Sequence, residues 1–191
     1  MKKTGLFFGS FNPIHIGHLI LAEYFATQTE LDEVWLVVTP QNPLKKKDSL
    51  LDQYLRLDLV NRAILDNPRL RASDIEFQLP KPSYTIHTLV HLEERYRDRQ
   101  FSLIMGEDNL VSLPRWKNYE ELLNRFDLWV YPRVGQSPTA LAGHPRVHLV
   151  QAPVIEISST QIRENLRNGR SVRYLLPEQI HDFVIKEQLY L

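Results

Sequence analysis

Short apolar runs alternate along this chain with longer stretches whose apolar residues recur at helical spacing. Leu6-Phe7-Phe8 is apolar and stopped by Gly9, which predicts a buried central strand. From Gly17 to Thr29, Leu19, Leu21, Ala22, Phe25 and Ala26 fall near the helical period. Val34 to Val38 reads as a second buried strand, ended by Pro40. Leu50 to Leu65 predicts a helix with Leu51, Tyr54, Leu55, Leu59 and Ile64 inward. Ile75 to Leu79 reads as a strand, Thr85 to Arg97 as a helix, and Phe101 to Met105 as a strand halted by Gly106. Asn118 to Phe126 is helical, while Leu128 to Tyr131 and Val147 to Val150 are strands. The segment between Arg133 and Arg146 is rich in breakers and reads as a loop. Thr160 to Arg167 and Pro177 to Leu189 predict two last helices, the second opened by Pro177 in its first turn.

Strands alternating with helices of this length imply parallel βαβ units. The expected fold is α/β, a doubly wound, mostly parallel sheet with helices on both faces. A small helical C-terminal part covers about 158–191, within a single domain spanning 1–191. In such sheets ligands bind beyond the carboxyl ends of the strands, where strand order reverses. Segments that follow strands are therefore where chemistry is sought.

Composition narrows the function classes. The 191 residues are 43% hydrophobic and 24% charged, ordinary for a globular domain of this size. Lys plus Arg and Asp plus Glu are 23 each, so the formal net charge is zero. That balance argues against a protein that coats nucleic acid or an anionic membrane. There is no cysteine, which excludes disulfides, thiol catalysis and Cys-ligated zinc. The first residues are too weakly apolar for a signal sequence, and no run of about 18 apolar residues occurs, so cytoplasm is expected.

Chemistry concentrates after the first strand, in Phe8-Gly9-Ser10-Phe11-Asn12-Pro13-Ile14-His15-Ile16-Gly17-His18. A helix N-terminus carries unpaired N–H groups and a partial positive charge, which suits a phosphate. Gly9 and Gly17 remove side chains where a ligand approaches the backbone. His15 and His18 are three apart, so one helical turn aims both imidazoles to one side. Such donors stabilise charge as it develops without the tight grip of two lysines. A metal pair or a plain polar helix start are the alternatives, and no third ligand is obvious nearby.

A second cluster, Ile157-Ser158-Ser159-Thr160-Gln161-Ile162-Arg163, begins a helix with a capping box at Ser158 and Gln161. Arg163 in or near its first turn opposes the helix dipole, a conflict that an anion held among the hydroxyls, amides and guanidinium removes. An ordinary capped helix with a solvated arginine is the alternative. His87 and His91, four apart with Glu94 beyond, form a face that can bind zinc, although a half-exposed polar helix is commoner.

The stretch His15-Ile16-Gly17-His18 resembles the signature of the HIGH-motif nucleotidyltransferases, and Ile157 to Arg163 resembles the second signature of the adenylyltransferases. Three further segments resemble the bacterial nicotinate mononucleotide adenylyltransferases: Pro82-Ser83-Tyr84-Thr85 with Thr88-Leu89, Gly106-Glu107-Asp108-Asn109-Leu110, and Pro114-Arg115-Trp116. With the ending Tyr174-Leu175-Leu176-Pro177, the resemblance spans nearly the whole chain in order. It implies a Rossmann-like fold and the joining of ATP to nicotinate mononucleotide, with pyrophosphate released, in NAD biosynthesis.

The resemblance also assigns roles. His15, His18, Arg163 and Lys45 would act on the phosphate chain. Gly9, Ser10, Phe11, Gly17, Gly106, Asp108, Ser158, Ser159 and Thr160 would bind ATP. Tyr84, Thr85 and Trp116 would bind the acceptor, with the indole against its pyridine ring. Mg²⁺ is expected, carried mainly by substrate phosphates, and no protein metal site is expected. The partners are the two nucleotides, with neither nucleic acid nor membrane, and a homo-oligomer remains open. The chain departs from the family's pattern at Phe8-Gly9, where two glycines are usual, and at Asn12, where Asp is usual. The family's Pro-Pro-His-Lys is here Pro43-Leu44-Lys45-Lys46, which leaves Lys45, Lys46 and Lys47 as alternative cations.

Overall fold

A computed structural model describes residues 1–40, 50–135 and 139–191. Six strands form one sheet: β1 (Lys2–Gly9), β2 (Glu33–Val38), β3 (Leu70–Ser73), β4 (Arg99–Gly106), β5 (Leu128–Tyr131) and β6 (Val147–Leu149). They lie in the order β3-β2-β1-β4-β5-β6, and every pairing is parallel. Leu6 of β1 lies opposite Trp35 of β2 and Leu103 of β4.

Both faces of the sheet are covered, which is why its strands read as unbroken apolar runs. Successive side chains leave a strand on opposite sides. Phe7, Val34, Leu36 and Val38 accordingly join one buried cluster, whereas Leu6, Trp35 and Val37 join the other. The first cluster takes the inward residues of α1 (Ile16–Gln28), α2 (Gln53–Ala63), α6 (Ser159–Arg167) and α7 (Glu178–Lys186). The second takes those of α3 (Thr85–Arg95), α4 (Glu107–Ser112) and α5 (Tyr119–Arg125). Strand order reverses between β1 and β4, so their carboxyl ends, Gly9 and Gly106, flank the crevice where such folds bind ligands. Among the described residues no helix is long and apolar enough to cross a membrane.

Four details differ from the pattern. The strand expected at Ile75 to Leu79 is a 3₁₀ turn, Ile75–Gln78, and the sheet edge is the more polar β3. An edge strand has one neighbour and can present charge: Arg71 leaves β3 with its guanidinium 4.4 Å from the Trp35 ring centre. In α2 the expected inward Tyr54 is 64% exposed, whereas Arg56 is fully buried along with the apolar Leu59 and Val60. Trp129 is only half-buried in the short β5, stacked on His148. Pro177 caps α7 with extended backbone, just before the first turn. Within the expected loop after Arg133, Ala140–Gly143 form a 3₁₀ turn, and 136–138 lie outside the described residues.

Candidate active site

The turn from β1 into α1 is a tightly held structure. Phe11 takes a left-handed backbone (φ 44°), unusual for a residue with a side chain, and its ring is buried. That ring lies edge-on to Phe7 and to His18, with centroids 6.1 and 5.0 Å away. A Cβ at Gly9 would come within 2.8 Å of the Phe11 ring, so this glycine makes room for the protein's own phenylalanine. The carbonyls on either side of Phe11 are each taken by an arginine. Arg56 Nη1 donates to Ser10 O (2.6 Å), and Arg163 Nη1 donates to Asn12 O (2.8 Å). Asn12 Oδ1 accepts from the Leu51 N–H (3.2 Å), so the amide oxygen does structural work where the family's Asp would bring charge.

Arg56 explains how a buried cation is tolerated. Its guanidinium also donates to Leu51 O (2.9 Å), Thr39 O (2.8 Å) and Pro40 O (3.3 Å), tying the first turn to the ends of β2 and the entry of α2. Burial lowers its pKa, and backbone carbonyls rather than a carboxylate satisfy its N–H groups.

His15 caps α1 with extended backbone, and His18 stands three residues on. The His15 N–H donates to His18 Nδ1 (3.3 Å), which leaves the proton of a neutral His18 on Nε2. The two imidazoles stack with centroids 3.7 Å apart. His15 is 4% exposed, and burial, aided by the positive Arg133, pushes its pKa down to about 4. A Cβ at Gly17 would lie 3.1 Å from both the His15 ring and Ile155, so the glycine lets the imidazole fold over the helix start.

The second motif is seated on the first. Ser158 caps α6 by accepting from the Gln161 N–H (3.2 Å), and Ser159 Oγ donates to Pro13 O (2.9 Å). Arg163, the fifth residue of α6, stands just past the first turn, and helical side chains lean toward the N-terminus. Its Nη2 thereby donates to Thr160 Oγ1 (3.3 Å) while Nη1 reaches Asn12. Burial lowers the Arg163 pKa.

Across the crevice, β4 ends at Gly106. A Cβ there would sit 2.4 Å from Asp108 Oδ1, so only glycine leaves that carboxylate its place. Asp108 Oδ1 is buried, takes no hydrogen bond among the described residues and lies 3.5 Å from Arg133 Nε. Glu107 Oε2 accepts from the Arg133 N–H (2.9 Å). Arg133, just beyond β5, therefore links the Gly106 turn to the histidine pair whose charge it influences.

The third group of residues flanks α3. Tyr84 precedes α3 and Thr85 is its first residue. The Lys117 ammonium lies 4.5 Å from the Tyr84 ring centre. Trp116 ends a 3₁₀ turn (Leu113–Arg115) by donating its backbone N–H to Leu113 O (2.8 Å). Phe8, Tyr84 and Trp116 are partly buried against the same apolar cluster.

A sequence model described as cytidylyltransferase-like matches residues 6–165. A protein of Flavobacterium psychrophilum named "Probable nicotinate-nucleotide adenylyltransferase" is 52% identical over 190 residues, covering 98% of each chain. One of the same name from Bacteroides fragilis is 49% identical over 185 residues, covering 97% of this chain and 92% of the other. This chain belongs to the nicotinate-nucleotide adenylyltransferases, within the cytidylyltransferase-like family. Among solved structures, nicotinic acid mononucleotide adenylyltransferase of Plasmodium falciparum, complexed with NaAD, superposes with a TM-score of 0.83 at 19% identity. The match covers 100% of this chain and 98% of that one, and is a likeness of fold.

For an adenylyltransferase of this family, the fold gathers Gly9, Ser10, Phe11, His15, Gly17 and His18 with Ser158, Ser159, Thr160 and Arg163. Gly106 and Asp108 stand on the adjoining strand end. Lys45, Lys46 and Lys47 lie outside the described residues. His87, His91 and Glu94 line an open groove between α3 and α5 with Glu121 and Arg125. Among the described residues no three His, Asp or Glu side chains are grouped to hold a metal ion.

Three residues with a part in this arrangement escaped the sequence. Arg56 gave no sign, since an arginine within a helix ordinarily reads as solvated. Arg133 had a signal, its place directly after a strand. Glu76 is buried in the 3₁₀ turn, accepts from Thr88 Oγ1 (2.9 Å) and braces α3, with burial raising its pKa.

Proposed function

We propose that this protein joins ATP and nicotinate mononucleotide to give nicotinate adenine dinucleotide and pyrophosphate, acting in the cytoplasm with residues 1–191 as one nucleotidyltransferase unit. The observation that carries the reading is the bond from Arg163 to Asn12 O, which makes two motifs some 150 residues apart into one site at the reversal of strand order.

A phosphate monoester is already an anionic nucleophile at pH 7. Its oxygen attacks the α-phosphorus of ATP in line, the bond to the bridging oxygen breaks, and pyrophosphate leaves without a covalent enzyme intermediate. No general base is required, so the protein positions the reactants and offsets charge. His18, with Nδ1 engaged by backbone, offers Nε2–H as a donor to phosphate oxygen. His15, neutral and buried behind it, holds that ring in place. Arg163 exchanges its carbonyl partner for phosphate oxygens, and Lys45 adds a second cation. Ser10, Phe11, Ser158, Ser159 and Thr160 line the ATP side with Gly9 and Gly17, while Gly106 admits the nucleotide and Asp108 accepts from ribose hydroxyls.

Mg²⁺ fits this donor set as an ion carried on the phosphates, since the described side chains build no cage of their own. When bound it screens the phosphate charge. Tyr84, Thr85 and Trp116 receive the acceptor, with the indole on the pyridine ring and the acid preferred over its amide. Pyrophosphate release measured over a panel of phosphorylated acceptors tests the reading. Nicotinate mononucleotide is expected to be used best, and equal or faster turnover with phosphopantetheine would refute the acceptor assignment.

A further inference from the structure

Tyr190, which follows α7, is buried. After α7, the Gln188 N–H donates to Ile185 O (3.2 Å) and the Leu189 N–H donates to Val184 O (3.0 Å). Left-handed backbone at Gln188 (φ 52°) and Tyr190 (φ 69°) then turns the chain inward. Two such conformations at residues with side chains are uncommon and need surrounding packing to hold them. The ring, 8% exposed, belongs to the same apolar cluster as Phe11, Ile14 and Ile162 of the two nucleotide motifs.

The Tyr190 hydroxyl has no hydrogen-bond partner among the described residues. Neither has Arg163 Nε, which is also buried. One is an N–H donor and the other an oxygen that can accept, and the phenol interacts electrostatically with the Arg163 and Arg56 guanidiniums. Two complementary buried groups left unmatched are costly and rare. Arg163 meanwhile spends both outer nitrogens on Asn12 O and Thr160 Oγ1. An arginine that grips phosphate with its outer nitrogens gains from an acceptor for its Nε–H, and the Tyr190 oxygen is a buried, unmatched acceptor.

We propose that Tyr190 is a positioning residue for Arg163, its hydroxyl accepting the Nε–H as the guanidinium turns from Asn12 O to the phosphate chain of ATP. This rests on Arg163 being a phosphate ligand, and deepens that reading by bringing the segment after α7 into the ATP site.

Tyr190→Phe in the full chain removes only the unmatched oxygen and keeps the ring. The melting temperature is expected to stay level or rise. The kcat/KM for ATP should fall roughly tenfold, the scale of one hydrogen bond to a charged group, with the KM for nicotinate mononucleotide unchanged. In an Arg163→Ala background the same substitution should cause no further loss, because the two side chains act as a unit. A kcat/KM for ATP within about twofold of the parent, or the same loss in both backgrounds, would overturn the proposal. So would a large fall in melting temperature with both substrates affected alike, which marks mere packing. An Arg163→Ala protein that still uses ATP normally removes the underlying reading. An impaired Arg163→Ala with a normal Tyr190→Phe overturns the Tyr190 role alone.

Discussion

The imidazoles of His15 and His18 lie ring over ring, their planes inclined by 23° and their centroids 3.7 Å apart. Charging both would set two cations against each other, and burial already pushes the His15 pKa down to about 4. In the unfolded chain it titrates near 6.5. Between those values the unfolded state binds more protons, so stability rises with pH across this window and is lost as pH falls through it. The shift corresponds to about 3 kcal/mol. Glu76, whose carboxyl is raised by burial, acts with the opposite sign, favouring the fold at low pH. Melting curves from pH 7 to 4.5 should show the parent losing stability more steeply than His15→Asn. Parallel curves would mean that His15 protonates freely in the folded protein.

His18→Ala should lower kcat by roughly 100- to 1,000-fold, the effect of removing one preorganised donor to developing charge. The melting temperature should change little, since His18 is only partly buried and stands at the helix start. Steady-state kinetics with both substrates saturating measure this. A near-normal kcat would place the ring outside the chemistry.

Arg163→Ala should reduce kcat/KM for ATP more than Arg163→Lys, and lysine should rescue only in part. A guanidinium presents a planar fork to phosphate oxygens, whereas an ammonium is a point charge. Arg163→Ala also removes the bond to Asn12 O, so the Phe11 turn loses one of its two arginine braces. Unchanged ATP use in both variants would return Arg163 to a purely structural role.

The sheet was legible because its strands are buried on both faces and each ends at a breaker: Gly9 after β1, Gly106 after β4. The edge was not, because β3 has a single neighbour and can be polar, while the apolar Ile75 to Leu79 packs as a turn. The histidine pair and the Ser158 cap were visible as local spacing. What joins them was invisible, since the Arg56 and Arg163 bonds reach carbonyls 46 and 151 residues away. A backbone carbonyl carries no residue-specific mark in a sequence. Gly9 and Gly17 were read as room for a ligand, and the Phe11 and His15 rings occupy that room.

Gly106→Ala tests the β4 end. The backbone there (φ −80°) suits any residue, so the added methyl acts through its neighbours, chiefly Asp108 Oδ1 at 2.4 Å, with Arg133 Cγ at 3.1 Å and Tyr131 Cε2 at 3.2 Å. The carboxylate must swing away from Arg133, which disturbs the ribose contact proposed for Asp108 while the fold stands. A several-fold higher KM for ATP with an unchanged melting temperature is expected. Unaltered kinetics would show that Asp108 does not contact ATP.

Trp116 separates stacking from packing. Its indole is partly buried against the cluster that also holds Tyr84 and Phe8, so one face has protein support and the remainder is accessible. Stacking on an aromatic ring is worth about 1–3 kcal/mol by alanine substitution, or roughly 5- to 150-fold in affinity. Trp116→Ala should therefore weaken nicotinate mononucleotide within that range and leave ATP affinity nearly unchanged. Trp116→Phe should lose less, since a smaller ring still offers a face. Partial burial adds a modest fall in melting temperature for alanine, which phenylalanine should largely restore. Isothermal titration with each nucleotide, alongside melting curves, distinguishes the two roles. Equal weakening of both nucleotides with a large loss of stability would make Trp116 a packing residue beneath α5 and leave the pyridine ring without its platform.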